Sequence, residues 1–188
     1  MANGVKDYDV LVVGSGSGAN VVDAALGRGL SVGWVDKGPL GGTCLNVGCI
    51  PSKMLIVPAD RIVEIQEAAR LGIEAHIDSV NFASIMEYMR QDIAETQGHI
   101  RSGLAEAENL DFYEAEGHFV DDYTLQVGDR RIRGEKVYLA AGTRVFIPPI
   151  EGIDQVDYLT NESVLALTER PESPVSYTHL TLPTILLV

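Results

Sequence analysis

The sequence predicts an α/β fold built on a parallel sheet, and three observations lead to that prediction. A nearly continuous apolar run at residues 8–13 ends at a glycine, a helical segment follows, and a second apolar run occupies residues 30–35. Continuous apolar runs are typical of strands buried on both faces, as in parallel sheets. The order strand, Gly-rich turn, helix, strand describes one βαβ unit.

Helical spacing of apolar residues recurs after each break in the strand pattern. The first helix carries small residues where it must approach the strands, and Gly29 ends it. Ile50-Pro51-Ser52 has the composition of a helix start, and it follows a glycine-rich segment, residues 39–48, that we expect to be a loop. Helices are predicted over residues 19–28, 50–69 and 81–104, with a short one over 161–167 capped by Thr160 or Asn161.

The apolar period becomes strand-like after residue 111. Turn signals at 121–122 and 128–129 divide this region into short segments. We expect a small antiparallel meander and then one more buried parallel strand, over residues 112–120, 124–127, 130–133 and 136–141.

Composition limits the kinds of partner. The chain has 188 residues, of which 46% are hydrophobic and 22% charged, as is usual for a globular domain. Its net charge of −13 disfavours nucleic acids and anionic membranes. The N-terminus lacks the pattern of a signal peptide, and no apolar stretch approaches the ~18 residues of a membrane span. These features predict a cytoplasmic protein.

The glycine-rich turn has the pattern Gly14-x-Gly16-x-x-Ala19 between a strand and a helix, with Asp36 roughly 20 residues further on. Gly14 permits the tight turn, Gly16 lets the backbone approach a pyrophosphate, and Ala19 lets the helix pack near the sheet. The helix N-terminus attracts phosphate, and Asp36 can accept hydrogen bonds from ribose hydroxyls. The pattern predicts a dinucleotide site; the alternative is that the glycines only form a turn.

The second motif is GGTCLNVGCIPSK, residues 41–53, which contains both cysteines of the chain. Cys49 stands at a predicted helix start, where the helix dipole favours the thiolate, and Cys44 is further out, open to exchange with a disulfide or dithiol. Lys53 adds a positive charge one turn into the helix. The alternatives are a metal site or two unpaired thiols, but no histidine has ligand spacing to the cysteines, so no metal is expected.

This motif resembles the redox-disulfide signature of the pyridine nucleotide-disulfide oxidoreductases, class I, and its wording is most similar to that of dihydrolipoamide dehydrogenases. The resemblance implies that the dinucleotide is FAD. It further implies that Cys49 is the thiol nearest the flavin, Cys44 the interchange thiol and Lys53 a neighbour of the flavin.

Two later segments resemble further FAD contacts of that family. Residues 137–143, followed by 148–152, are similar to a strand that ends in a small-residue turn beneath the cofactor; most members have Thr where this chain has Ala141. Residues 114–119 resemble the segment that contacts the adenine, and within them His118 is expected to be an exposed strand residue. The resemblance therefore implies cofactor contacts from Gly14, Ser15, Gly16, Ser17, Gly18, Ala19, Asp36, Lys37, Gly42, Thr43, Cys44, Cys49, Lys53, Ala115, Gly117, Ala141, Gly142 and Thr143.

The family's other domains are not evident in this sequence. No second G-x-G-x-x-G appears for NAD(P), and no C-terminal dimerisation domain with its His-Glu pair. We therefore expect a Rossmann-like FAD-binding domain over residues 1–175 that stops before the NAD domain of a homodimeric parent protein. Residues 176–188 share no pattern with the rest and are expected to be an unrelated, non-native tail.

The function predicted by the resemblance is FAD-dependent dithiol/disulfide oxidation. In the intact parent, electrons would pass from dihydrolipoamide, through Cys44 and Cys49 and FAD, to NAD. Two alternatives remain open: a mycothione, glutathione or mercuric reductase, and a truncated fragment that is catalytically inert.

Overall fold

A computed structural model of the protein describes residues 4–174, so the expected tail at 176–188 lies outside the described part. The strands are β1 (Val5–Val13), β2 (Val32–Asp36), β3 (Leu110–Glu114), β4 (Gly117–Asp121), β5 (Thr124–Val127) and β6 (Arg130–Leu139). The helices are α1 (Gly18–Leu26), α2 (Gly42–Val47), α3 (Cys49–Glu67) and α4 (Phe82–Glu106), with 3-10 turns at Ala68–Leu71, Ile153–Gln155 and Ser163–Ala166.

All six strands form one mixed sheet in the order β3-β2-β1-β6-β5-β4. The first four of these strands are parallel, and β6, β5 and β4 pair antiparallel. The predicted α/β class, with its parallel sheet and its antiparallel meander, is confirmed. Because β1 is flanked by β2 on one side and β6 on the other, the strand order reverses beside the carboxyl end of β1, where doubly wound folds place ligands.

The sheet is covered by apolar side chains on both faces. One cluster lies under α1, where Val22 and Ala25 meet Val12 and Trp34. The other joins the parallel strands to the meander through Leu11, Val35, Tyr113, Leu125 and Ile132. This double coverage explains why the apolar runs at 8–13 and 30–35 are nearly continuous.

Two long helices separate β2 from β3, as predicted. Helix α3 begins at Cys49, one residue before the predicted start, and α4 begins after Asn81, whose side chain accepts a hydrogen bond from the Ser84 N–H at 3.0 Å. An Asn at this position satisfies one of the free amides of the first helical turn.

Two predictions for segments next to the carboxyl ends of the parallel strands are wrong. The segment 39–48 contains the short helix α2, since the left-handed backbone of Gly41 (φ 93°) turns the chain directly into it. The single strand predicted over 112–120 is two strands that break at Ala115 and Glu116 and lie at opposite edges of the sheet. The spacing of apolar residues is the same in one long strand and in two short strands that diverge, so it does not distinguish them.

The end of the sheet also differs from prediction. The segments 130–133 and 136–141 form one strand, β6, which pairs with β5 on one side and with β1 on the other. Its last residues, Tyr138 and Leu139, are exposed rather than buried. The helix predicted over 161–167 is a 3-10 turn in which the Thr160 hydroxyl accepts from the N–H groups of Glu162 and Ser163, both at 3.2 Å.

Candidate functional site

A cleft of about 1300 Å³ opens at the carboxyl edge of the parallel strands. Its walls come from the ends of β1, β2 and β6, from the break between β3 and β4, and from α2. Of the predicted site residues it is lined by Gly14, Ser15, Gly16, Ser17, Asp36, Lys37, Gly42, Thr43, Cys44, Ala115, Gly117, Ala141, Gly142 and Thr143.

The glycine-rich turn is held rigidly between β1 and β2. The Gly14 N–H donates to the Val35 carbonyl at 2.8 Å, and the buried Trp34 indole donates to the Gly14 carbonyl at 2.9 Å. A side chain at Gly14 is excluded because its Cβ would lie 2.0 Å from the Ala140 carbonyl oxygen and the backbone has a φ of +102°. The turn can therefore present its backbone, and not a side chain, to a ligand.

A second glycine faces this turn across the cleft wall. A Cβ on Gly42 would lie 2.5 Å from the Gly16 Cα, and the Gly41 N–H donates to the Ser15 hydroxyl at 3.0 Å. Helix α1 starts here with neither a side-chain cap nor an acidic residue in its first turn. These features fit a phosphate group, because a positive helix end and a backbone-lined surface are what a pyrophosphate needs.

Gly18 and Ala19 face away from this cradle. A Cβ on Gly18 would lie 2.8 Å from Val12 Cγ1 and 3.3 Å from the Ala140 Cβ, so Gly18 is the glycine that lets α1 approach the sheet. Ala19 packs at the margin of the cluster under α1. The sequence pattern assigned the close packing of helix and sheet to Ala19. In the structure Gly18 and Ala19 share this role, and Gly18 makes the tighter contact.

Asp36 links the glycine-rich turn after β1 to the segment that follows β2. One carboxylate oxygen accepts from the Ser15 N–H at 2.5 Å and the other from the Gly38 N–H at 2.8 Å. A carboxylate offers about four acceptor positions. The remaining ones could accept hydroxyl groups of a ribose while the backbone bonds stay in place.

The cysteines lie at the start of two consecutive helices, Cys44 in the first turn of α2 and Cys49 at the first residue of α3. Both are exposed free thiols. A hydrogen bond from the Cys44 thiol to the Cys49 side chain, together with partial desolvation, raises the pKa of the Cys44 thiol. The two sulfurs are therefore close enough to interact, and Cys44 belongs to the cleft wall.

Cys49 and Lys53 are not among the residues that line this cleft. Lys53 instead borders a groove of about 690 Å³ between α3 and α4, together with Ile50, Met54 and Tyr88. The structure therefore brings Cys44 to the cleft, whereas Cys49 and Lys53, on the first turns of α3, lie outside its lining. His118 is exposed on β4, as expected.

Several residues that line the cleft were missed by the sequence reasoning. Asn46 lies between the two cysteines and could have been suspected from that position alone. Arg144 and Glu162 carried no signal, because they reach the cleft only when the segment after β6 folds back, where the Asn161 side chain meets the Val47 carbonyl at 3.4 Å. The Lys37 ammonium lies 3.5 Å from the Glu116 carboxylate at the rim.

Two other properties of residues 4–174 bear on function. No cluster of three or more His, Cys, Asp or Glu side chains in this part of the chain could hold a metal ion. None of its helices combines the length and the apolar character that crossing a membrane requires.

Comparison with known proteins finds one family model and several curated enzymes that match this chain. A family model described as pyridine nucleotide-disulphide oxidoreductase matches residues 8–180. A mercuric reductase from Lysinibacillus sphaericus is 30% identical over 88% of this chain, and a mycothione reductase from Mycobacterium tuberculosis is 34% identical over 89%. A dihydrolipoyl dehydrogenase from Staphylococcus aureus is 37% identical over 66% of the chain.

The chain spans about a third of the length of these proteins, since the matches cover 31%, 38% and 27% of them. Among solved structures, the HOCl-induced flavoprotein disulfide reductase RclA from Escherichia coli has a TM-score of 0.71 at 23% identity, over 86% of this chain and 34% of that protein. This likeness shows the fold.

Proposed function

Because the chain belongs to the pyridine nucleotide-disulphide oxidoreductase family, we propose that it binds FAD and carries the exchanging thiol pair of a dithiol/disulfide oxidoreductase. The observation that carries the proposal is the cleft itself. One wall is a backbone cradle fit for a pyrophosphate, and the same cleft is bordered by Cys44.

Each part of the cleft would have a separate task in holding the cofactor. The turn at Gly14 and Gly16 would hold the pyrophosphate, and Asp36 the ribose hydroxyls. The break at Ala115–Gly117 would contact the adenine, and residues 141–143 the part of the cofactor nearer to Cys44. FAD, when bound, would supply a two-electron acceptor.

The cysteines would carry out thiol–disulfide exchange with the substrate. In the oxidised protein Cys44 and Cys49 would share a disulfide. A substrate thiolate would attack the Cys44 sulfur, release Cys49 as a thiolate, and form a mixed disulfide. The second substrate thiol would then attack the substrate's own sulfur, releasing Cys44, so that the substrate loses two electrons and the protein dithiol gains them.

For the intact protein we propose dihydrolipoamide as the dithiol, NAD as the final acceptor, a homodimer as the assembly and the cytoplasm as the location. The wording of residues 41–53 supports this choice, and so does the 37% identity to the dihydrolipoyl dehydrogenase. The domain limits at residues 1–175, with a non-native tail at 176–188, belong to the same proposal.

A second candidate is the reduction of a small disulfide or of mercuric ion by the intact protein. It is favoured by the reach of the matches, because the mycothione and mercuric reductases align over 89% and 88% of this chain and the dihydrolipoyl dehydrogenase over 66%. Turnover assays of a longer protein containing residues 1–175, with dihydrolipoamide, mycothione and mercuric ion in parallel, would separate them.

The proposal is tested by purifying the chain, incubating it with FAD and removing free flavin by gel filtration. We expect a yellow, monodisperse protein with about one FAD per chain, measured from its visible absorbance. A colourless or aggregated product after the same treatment would contradict FAD binding and favour an inert fragment.

A further inference from the structure

We infer that Asn46 and Gln97 are positioning residues for the thiol pair, coupling α4 to α2 and setting how readily Cys44 and Cys49 form a disulfide. This inference rests on the proposed function, in which those two cysteines exchange with a disulfide. Neither amide is a predicted cofactor contact.

Asn46 ties helix α2 to the loop before it. Its Nδ2 lies 3.4 Å from the Pro39 carbonyl oxygen, 2.9 Å from that of Leu40 and 2.8 Å from that of Gly42. Carbonyl oxygens only accept hydrogen bonds, so the amide nitrogen must point toward them and the Oδ1 atom away. Asn46 therefore closes the first turn of the helix that carries Cys44.

Gln97 fixes the other end of the same amide. Its Nε2 donates to Asn46 Oδ1 from α4, 51 positions further along the chain. Both side chains are half-buried, which strengthens a hydrogen bond relative to one in open water. The contact prevents Asn46 from rotating away from the three carbonyls, so the long helix α4 supports the short helix α2.

The geometry of the turn between α2 and α3 makes this support relevant to sulfur chemistry. A Cβ on Gly48 would lie 2.8 Å from the Thr43 carbonyl oxygen and 3.2 Å from the Cys44 Cα, so the start of α3 folds back against the start of α2. This fold-back is what brings Cys49 to Cys44. If α2 frays, the two sulfurs spend less time within bonding distance.

The expected consequence concerns an equilibrium that can be measured without FAD. Glutathione disulfide oxidises the pair: one S–S bond forms between Cys44 and Cys49, the glutathione S–S bond breaks, and the two thiol protons end on two glutathione thiols. A looser α2 lowers the effective concentration of one thiol at the other, so the equilibrium constant for this oxidation should fall.

The test uses the full chain in glutathione redox buffers, with the reduced and oxidised fractions measured by alkylation and mass spectrometry. Gln97→Met removes the donor while keeping the side-chain length, and we expect the equilibrium constant to fall about threefold to tenfold, as for loss of one partly buried hydrogen bond. Gln91→Met is the matched control, since Gln91 is exposed on the same helix and donates to Glu87 of that helix, at 3.0 Å. It should leave the constant unchanged.

Asn46→Asp supplies a second variant, because Asp keeps the acceptor for Gln97 but cannot donate to the three carbonyls. We expect a larger fall than for Gln97→Met; should Asn46→Asp fail to fold, Gln97→Met still decides. Equal constants for Gln97→Met, Gln91→Met and the unaltered chain, at equal melting temperatures, would overturn the inference. If the unaltered chain forms no Cys44–Cys49 disulfide at all, the proposed function fails first and this inference fails with it.

Discussion

At the scale of single residues, the wall of the cleft depends on glycines, which have no Cβ atom. A Cβ added to Gly42 would lie 2.5 Å from the Gly16 Cα, too close to fit, and Gly42 has a φ of +61°. A larger residue at position 42 would therefore have two separate effects, backbone strain and a steric clash. A left-handed backbone strains any larger residue by about 1–2 kcal/mol, whereas a clash with Gly16 also displaces the surface that would face the phosphates.

Gly42→Ala should therefore weaken FAD binding about tenfold or more, which corresponds to about 1.4 kcal/mol. The matched control is Gly72→Ala, because Gly72 has a φ of +77° but no atom within 4 Å of its added Cβ. Titration of each variant with FAD, followed by flavin fluorescence, measures the difference. Equal affinities for the two variants would show that the Gly16–Gly42 approach is not part of the cofactor site.

The thiol pair makes a prediction at the same scale. The Cys49 side chain is the main cause of the raised pKa of Cys44, with desolvation second. Removing Cys49 should lower that pKa toward its ordinary value and leave more Cys44 as thiolate near pH 8. In the reduced protein, Cys49→Ala should alkylate faster with iodoacetamide at Cys44 than the unaltered chain does, with the curve of rate against pH moved to lower pH. A curve moved to higher pH would contradict the hydrogen bond.

At the scale of elements, the ends of the helices carry the site. Helix α1 begins at the cleft without a side-chain cap, whereas α4 begins outside the residues that line the cleft, with Asn81 closing its first turn. The two helix starts differ because one borders the cleft and the other is exposed to solvent. A helix start that holds a ligand must leave its N–H groups available, and one that faces solvent is more stable when a side chain accepts from them.

Asn81→Ala should lower the free energy of unfolding by about 1 kcal/mol, the usual cost of losing such a cap. Ser79→Ala is the control, since Ser79 is an exposed neighbour two positions earlier. Urea denaturation followed by circular dichroism measures both variants. A loss that is the same in the two would mean that the Asn81 cap does not stabilise α4.

At the scale of the whole molecule, carboxylates connect parts of the chain that are distant in sequence. Hydrogen bonds from Ser31 lower the pKa of Asp9, and one from Arg101 lowers that of Glu114. For Asp111, burial raises the pKa, but the hydrogen bonds from Lys6 and Tyr8 outweigh it and the net direction is down. Asp111 thereby links β3 to the residues of β1.

A folded state that lowers the pKa of a carboxyl group is stabilised above the ordinary pKa of that group and loses this contribution as the pH falls through the folded value. The ordinary values here are 3.8 for Asp9 and Asp111 and 4.5 for Glu114. We therefore expect the free energy of unfolding to decline once the pH drops below about 4.5, and more steeply below about 3.8.

Asp111→Asn should make this decline shallower, because it removes one of the titrating groups, and it should lower stability at neutral pH. Asp60→Asn, on the exposed side of α3, serves as the control. Urea denaturation at a series of pH values measures the slope. An Asp111→Asn protein with the same acid dependence as the Asp60→Asn protein would count against the link through Asp111.

The amino-acid sequence alone predicted the βαβ unit, the glycine-rich turn at Gly14 and Gly16, the two long helices and the position of Cys49 at a helix start. These features depend on interactions within a few residues: the periodicity of apolar side chains, the steric freedom of glycine, and the chemistry of helix starts. For that reason they can be predicted from a single sequence.

The folded structure was needed to show how distant segments meet. It split residues 112–120 between opposite edges of the sheet, made β6 the partner of both β1 and β5, and put Arg144 and Glu162 beside the cleft. It also packed Gly18 of α1 directly against Val12 of the sheet and joined Asn46 to Gln97. The pairing of strands depends on which surfaces the packed chain brings together, and so does an amide contact across 51 positions. The same local sequence pattern is compatible with many such arrangements.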